Sequence, residues 1–158
     1  MAKHNVQFTK DNEYYTPKEF VERFGKFDYD PATTSQKALD LNIPHYDTIE
    51  TNGLTSNWGL YKRIWINPPF TIKHLFLQKA VETVKHYHNE IYILFPIEFM
   101  TTKRFHEIMK GMGGIIYLPD GRIKFQSGLG KKSSSPAFGS IVLLLNGDKH
   151  LQIKRIQL

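Results

Sequence analysis

Apolar residues recur along the chain in two rhythms. Ile64-Trp65-Ile66, Ile91-Tyr92-Ile93-Leu94-Phe95 and the stretch from Ser140 to Asn146 are short, nearly continuous and rich in β-branched or aromatic residues, as buried strands are. Between them, Phe20, Val21 and Phe24 recur at helical spacing, as do Ile72, Leu75, Phe76, Ala80 and Val84, and then Phe105, Ile108 and Met109. Thr16 as N-cap, Pro17 at the first helical position and Glu19 three residues after Thr16 write a capping box, and Gly25 stops that helix. Lys26 to Asp30 alternates like a strand and is broken at Pro31. A short helix follows over Gln36 to Leu41, then a loop-rich run anchored by Leu54 and Trp58. Thr71 is placed to cap a helix reaching His88, and Thr101 or Thr102 a second one ending at Gly111. Gly113 to Leu118, Ile123 to Phe125 and His150 to Ile156 complete the strands, with Lys154 and Arg155 guarding the last as an edge. Strands alternating with helices predict an α/β fold with a mostly parallel sheet, and the closely spaced late strands an antiparallel finish. No repeat or linker interrupts the pattern, which predicts a single domain over residues 1–158.

One strand ends abruptly. Ile64-Trp65-Ile66 runs into Asn67-Pro68-Pro69-Phe70, and two prolines cannot continue a ladder because each lacks a donor and fixes φ. Asn67 is therefore expected at the carboxyl end of a strand, the edge where open α/β sheets bind ligands. The Asn67 side-chain oxygen and the Pro68 carbonyl form a rigid pair of acceptors, and Phe70 adds a ring. Two acceptors can hold both hydrogens of an exocyclic amine on a nucleobase and draw its nitrogen toward a more nucleophilic, tetrahedral form. A stacked aromatic contributes ~1–3 kcal/mol per base.

Composition narrows the chemistry. Cysteine is absent, which excludes disulfides, thiolate zinc sites and the thiolate-dependent methylation of a pyrimidine carbon. Direct transfer to nitrogen needs no such nucleophile. No apolar run approaches the ~20 residues that span a bilayer, and the first residues lack the apolar core of a signal peptide, so no membrane association and a cytoplasmic location are expected. The net charge of +6 favours a polyanionic partner. Arg122 and Lys124, followed by Lys131, Lys132 and Ser133, form a candidate clamp on the phosphates of a nucleic acid. The histidines show no metal-ligand spacing, and no metal is expected. Gly111-Met112-Gly113-Gly114 follows a helix and precedes a strand, the order of a helix cap and not of a phosphate cradle. Gly128-Leu129-Gly130-Lys131-Lys132-Ser133 lacks the spacing of a nucleotide-hydrolase loop, and no helical pattern follows it.

Taken in order, Tyr14-Tyr15-Thr16-Pro17, Phe27-Asp28-Tyr29-Asp30-Pro31-Ala32, Asn52-Gly53-Leu54 with Trp58, Trp65 through Phe70, Gly121 through Phe125 and Ser135 through Ser140 resemble the small phage-type DNA N6-adenine methyltransferases of the Dam-like family. The resemblance implies a compact Rossmann-like methyltransferase fold, S-adenosyl-L-methionine as cofactor and DNA as partner, in a phage or prophage protein of a bacterial host. It implies that Thr16, with Tyr15 before it, meets the methionine carboxylate of the cofactor. Asp30, Pro31 and Ala32 would sit beside its methionine and ribose, and Asn52 and Leu54 near its adenine. Asn67, Pro68, Pro69 and Phe70 would hold the target base. The family usually carries Asp at position 52 and Tyr at position 70. Two other readings stay open: a catalytically weak or inactive DNA-binding relative, and methylation of cytosine N4 or an RNA base, whose amines suit the same acceptors.

Overall fold

The computed structural model describes residues 14–127, 133–134 and 138–158, without the side chains of 14, 126, 127, 133 and 134. In chain order the elements are β1 (Tyr14–Tyr15), α1 (Lys18–Glu22), β2 (Tyr29–Asp30), α2 (Ser35–Asp40), β3 (His45–Tyr46), β4 (Arg63–Ile66), α3 (Lys73–His86), β5 (Glu90–Pro96), α4 (Lys103–Ile108), β6 (Gly114–Pro119), β7 (Phe125–Ser127), β8 (Ser133–Ser134), β9 (Ser140–Leu145) and β10 (Leu151–Ile156). Seven strands form one sheet in the order β10-β6-β9-β5-β4-β2-β3, and β1, β7 and β8 a small antiparallel one. Within the large sheet only β9 is reversed, being antiparallel to both β5 and β6, while the other neighbours pair in parallel.

The alternation in the sequence becomes the two faces of this sheet. Ile64, Ile66, Ile91, Ile93, Phe95, Ile141, Leu143 and Leu145 point to one side, where α3 lays down Phe76, Leu77, Ala80, Val81 and Val84 and α4 adds Phe105. Trp65, Tyr92, Leu94, Val142 and Leu144 point to the other, covered by Phe20 and Val21 of α1 and by Ile123 and Phe125. Both faces are buried, as a sheet flanked on each side requires.

Several local expectations fail for identifiable reasons. Thr16 does not cap α1, whose N-cap is Pro17 with no side-chain bond; its hydroxyl is engaged elsewhere, as described below. Thr71 does not cap α3 either. The Pro68-Pro69 pair feeds a tight 3-10 turn over Phe70–Ile72, closed by the Ile72 N–H on the Pro69 carbonyl, and the α-helix starts only at Lys73. Only Tyr29 and Asp30 of the predicted Lys26–Asp30 strand pair as a ladder, because the Asp28 carboxylate itself accepts the Lys62 and Arg63 N–H groups. Thr102 does cap α4, accepting the Phe105 N–H at 3.2 Å. Gly111 leaves that helix at φ +76, a left-handed conformation that suits glycine.

Candidate active site

A cleft of about 930 Å³ opens at the carboxyl edge of β2, β4 and β5. Each contributes the residue that ends or follows it: Asp30 from β2, Asn67 after β4, Pro96 from β5. Reversed β9 contributes its first residue instead, Ser140, which lies opposite Pro96 in register.

Asn67 sits where the prolines end the strand, and its Nδ2 donates to Thr16 Oγ1 at 3.1 Å. Thr16 is only 2% exposed, so this bond is shielded from competing water. With Nδ2 on the Thr16 hydroxyl, the oxygen end of the Asn67 amide faces away from Thr16. Pro68, Pro69 and Phe70 line the same cleft. The turn that carries them is held by Lys73, whose Nζ donates to the Phe70 carbonyl at 2.8 Å and lies 5.7 Å from the Phe70 ring centroid. Burial, then the neighbouring Arg104 charge, pull the Lys73 pKa below the ordinary lysine value. The Phe138 ring meets Phe70 edge-on, 4.9 Å between centroids, which gives this end of the cleft a second aromatic wall.

The other end is built from two loops packed on each other. After β2, Asp30 Oδ1 accepts the Ala32 N–H at 2.9 Å, closing the turn through Pro31. Asp30 is 3% exposed; burial pushes its pKa up to about 7, against the opposing pull of the Ala32 N–H and the Lys37 charge. Asn52 occupies a left-handed conformation, φ 55, and its Oδ1 accepts from Leu54 N at 3.3 Å. Gly53 then lies so close to the first loop that a Cβ would stand 1.9 Å from the Pro31 carbonyl oxygen. The Gly53 carbonyl accepts from the Trp58 indole and the Leu54 carbonyl from Lys79 Nζ, both at 2.8 Å. Trp58, 1% exposed, is thus the anchor of the loop.

All of Tyr15, Thr16, Asp30, Pro31, Ala32, Asn52, Leu54, Asn67, Pro68, Pro69 and Phe70 line this one cleft. The basic candidates do not. Arg122 and Lys124 are exposed because the chain alternates there, with Ile123 and Phe125 buried between and after them. Their segment leads into β7, which pairs with β1 beside Thr16, and Phe125 reaches the cleft. Lys131 and Lys132 lie outside the described residues, as does most of the Gly128–Ser133 segment; Ser133 belongs to β8. Sequence reasoning missed Lys37, Glu50, Phe138 and Ser140, which also line the cleft. Lys37 is 4% exposed, with Nζ 3.2 Å from Asp40 and 6.0 Å from the Tyr15 ring centroid; a lysine in the first turn of a short helix carries no local sign of burial. Phe138 and Ser140 stand in the Ser135–Ser140 stretch, whose residue types carry no local sign of a role.

The sequence matches the family described as DNA N-6-adenine-methyltransferase (Dam) over residues 5–155. The chain belongs to that family. A DNA N-6-adenine-methyltransferase of Escherichia phage T1 is 28% identical over 159 aligned residues, which cover 89% of this chain. The chain spans 65% of the length of that phage relative. A solved structure described as a class I S-adenosylmethionine-dependent methyltransferase, from Listeria monocytogenes, superimposes with a TM-score of 0.54 at 14% identity. It covers 98% of this chain and 68% of that one, and it shows that this member of the Dam family has the class I methyltransferase fold. Among the described residues no group of three or more His, Asp or Glu could hold a metal, and no helix is long and apolar enough to cross a membrane.

Proposed function

We propose that this Dam-family chain transfers a methyl group from S-adenosyl-L-methionine to N6 of adenine in DNA. The observation that carries the proposal is the placement of Asn67, Pro68 and Phe70 together at the carboxyl edge of β4, facing an open cleft large enough for a cofactor and a base. Family membership and the class I fold support it from independent directions.

The donor set of the cleft's other end fits such a cofactor. Asp30 offers a carboxyl group and Lys37 a hydrogen-bond donor, and Pro31, Ala32 and Leu54 offer apolar surface. The Gly53–Pro31 approach leaves no room for a side chain between the two loops. When bound, the cofactor supplies an electrophilic methyl group. The chain's own part is to orient the amine. The Asn67 oxygen and the Pro68 carbonyl accept its two hydrogens, which localises the lone pair on nitrogen. Because prolines hold both acceptors in place, little reorganisation accompanies the reaction. Phe70 stacks on the base. Transfer is direct, without a covalent enzyme intermediate; the nitrogen loses one of its two protons to solvent as it gains the methyl group, and the rate rests on alignment. The adenine comes from a single strand or is flipped from a duplex, with Arg122 and Lys124 on the backbone, in the cytoplasm of a bacterial host. The whole acts as one methyltransferase domain.

Nucleoside mass spectrometry after incubation with cofactor and DNA tests the proposal. N6-methyladenosine in the DNA is the expected product; its absence with the wild-type chain, across varied DNA, refutes the assignment. Asn67→Ala is expected to abolish product formation while cofactor binding, read by calorimetry, stays within a few-fold.

A further inference from the structure

Ser140 is 5% exposed, lines the cleft, and its Oγ has no hydrogen-bond partner among the described residues. A buried hydroxyl without a partner is costly and uncommon. This one is also rigidly placed. Ser140 opens β9, pairs with Pro96, and follows Gly139, whose carbonyl accepts the Ile97 N–H at 2.9 Å.

Its position relative to Asn67 is set by the sheet. β4 and β9 flank β5 on opposite sides. Ile66 pairs with Ile93, so Asn67 stands level with Leu94, two residues short of the Pro96–Ser140 pair. Trp65, Leu94, Val142 and Leu144 share one face, and the strand period of two carries Asn67 and Ser140 onto that same face. Two interstrand spacings and a two-residue offset along the strands separate their backbones by roughly 12 Å. A nucleobase hydrogen-bonded at both sides spans such a gap. Phe70 and Phe138 supply the aromatic wall beside it.

This step rests on the reading given above, in which the Asn67 and Pro68 oxygens take both amine hydrogens. The polar atoms that flank the amine on an adenine are then N1 and N7, both acceptors, and only a donor satisfies them. We infer that Ser140 is a base-reading residue, its hydroxyl donating a hydrogen bond to the ring nitrogen next to the amine that is methylated.

Ser140→Ala removes only the hydroxyl, so the fold is expected to survive with an unchanged or slightly raised Tm. Cofactor affinity is expected to stay the same. With oligonucleotides carrying adenine at the target position, kcat/KM is expected to fall about tenfold, the size of one buried hydrogen bond. The same two proteins are then compared on oligonucleotides with 1-deazaadenine or 7-deazaadenine at that position. Whichever substitution removes the bonded nitrogen should slow the wild type to the level of Ser140→Ala and slow the variant no further relative to its own loss on the other analogue. Ser140→Thr, which keeps the hydroxyl, should retain discrimination between adenine and the critical analogue. Equal kcat/KM for wild type and Ser140→Ala on adenine overturns the inference. So do penalties for both analogues that are the same in the two proteins. A wild type that methylates no adenine at all overturns the underlying assignment as well, and is told apart because it fails before any variant is compared.

Discussion

Thr16→Val probes the contact that ties the two halves of the cleft together. The Thr16 hydroxyl accepts from Asn67 Nδ2 at 3.1 Å in a position 2% exposed, and it retains its own hydrogen to give to a second acceptor such as a cofactor carboxylate. Valine keeps the shape and removes both abilities. A buried neutral hydrogen bond is worth about 0.5–1.5 kcal/mol. If that orientation energy is used in the transition state, the loss corresponds to a rate falling between about 2- and 13-fold, with tenfold per 1.36 kcal/mol. A bond to an anionic carboxylate is worth about 1.5–3 kcal/mol, so the cofactor Kd should rise by at least an order of magnitude as well. Single-turnover transfer at saturating cofactor and DNA isolates the first effect, and calorimetry with cofactor alone isolates the second. Thr16→Ser, which keeps the oxygen, should recover both. Wild-type turnover by Thr16→Val under saturating conditions would refute the claim that this hydroxyl orients the Asn67 amide.

Two further predictions follow from the cofactor-side loops. In Gly53→Ala the new Cβ meets the Pro31 carbonyl oxygen, a backbone atom, at 1.9 Å. The loops must separate, at a cost of about 1–3 kcal/mol, so both a lower Tm and weaker cofactor binding are expected, and wild-type values for both would refute the packing argument. Asp30 has its pKa raised to about 7 by burial, so between about pH 4 and pH 7 the folded chain holds a proton that the unfolded chain has released, and stability falls as pH rises through that window. Asp30→Asn, compared with wild type without cofactor, is expected to remove that part of the slope and to be the more stable of the two at pH 8; identical Tm-against-pH curves would count against a buried, protonatable Asp30.

What the sequence made legible was whatever depends on neighbours in the chain. Continuous apolar runs marked the buried strands, and the Asn67-Pro68-Pro69 corner marked the strand end, because proline acts on its own backbone and on the residue before it. The failures share a cause. Thr16 has the right neighbours for a cap, yet its hydroxyl is taken by a residue 51 positions away; a rule of i to i+3 cannot see that competitor. Lys37 reads as a solvent-facing helix residue and is buried in the fold, with its Nζ 6.0 Å from the ring of Tyr15, a residue 22 positions away.

The order of the strands was equally invisible, and it decides the site. Parallel strands that leave the sheet through a helix can present only their last residues at the carboxyl edge, as β2, β4 and β5 do here. A strand inserted in reverse between β5 and β6 presents its first residue there instead. Ser140 therefore enters the cleft from the opposite chain direction to Asn67, from a strand made rigid by pairing on both sides. A parallel β9 would have turned Leu145 toward the cleft and Ser140 to the far edge. The reversal of β9 is thus what allows one cleft to hold acceptors from a strand's end and a donor from a strand's beginning, the complementary pair that a base with an amine beside a ring nitrogen demands.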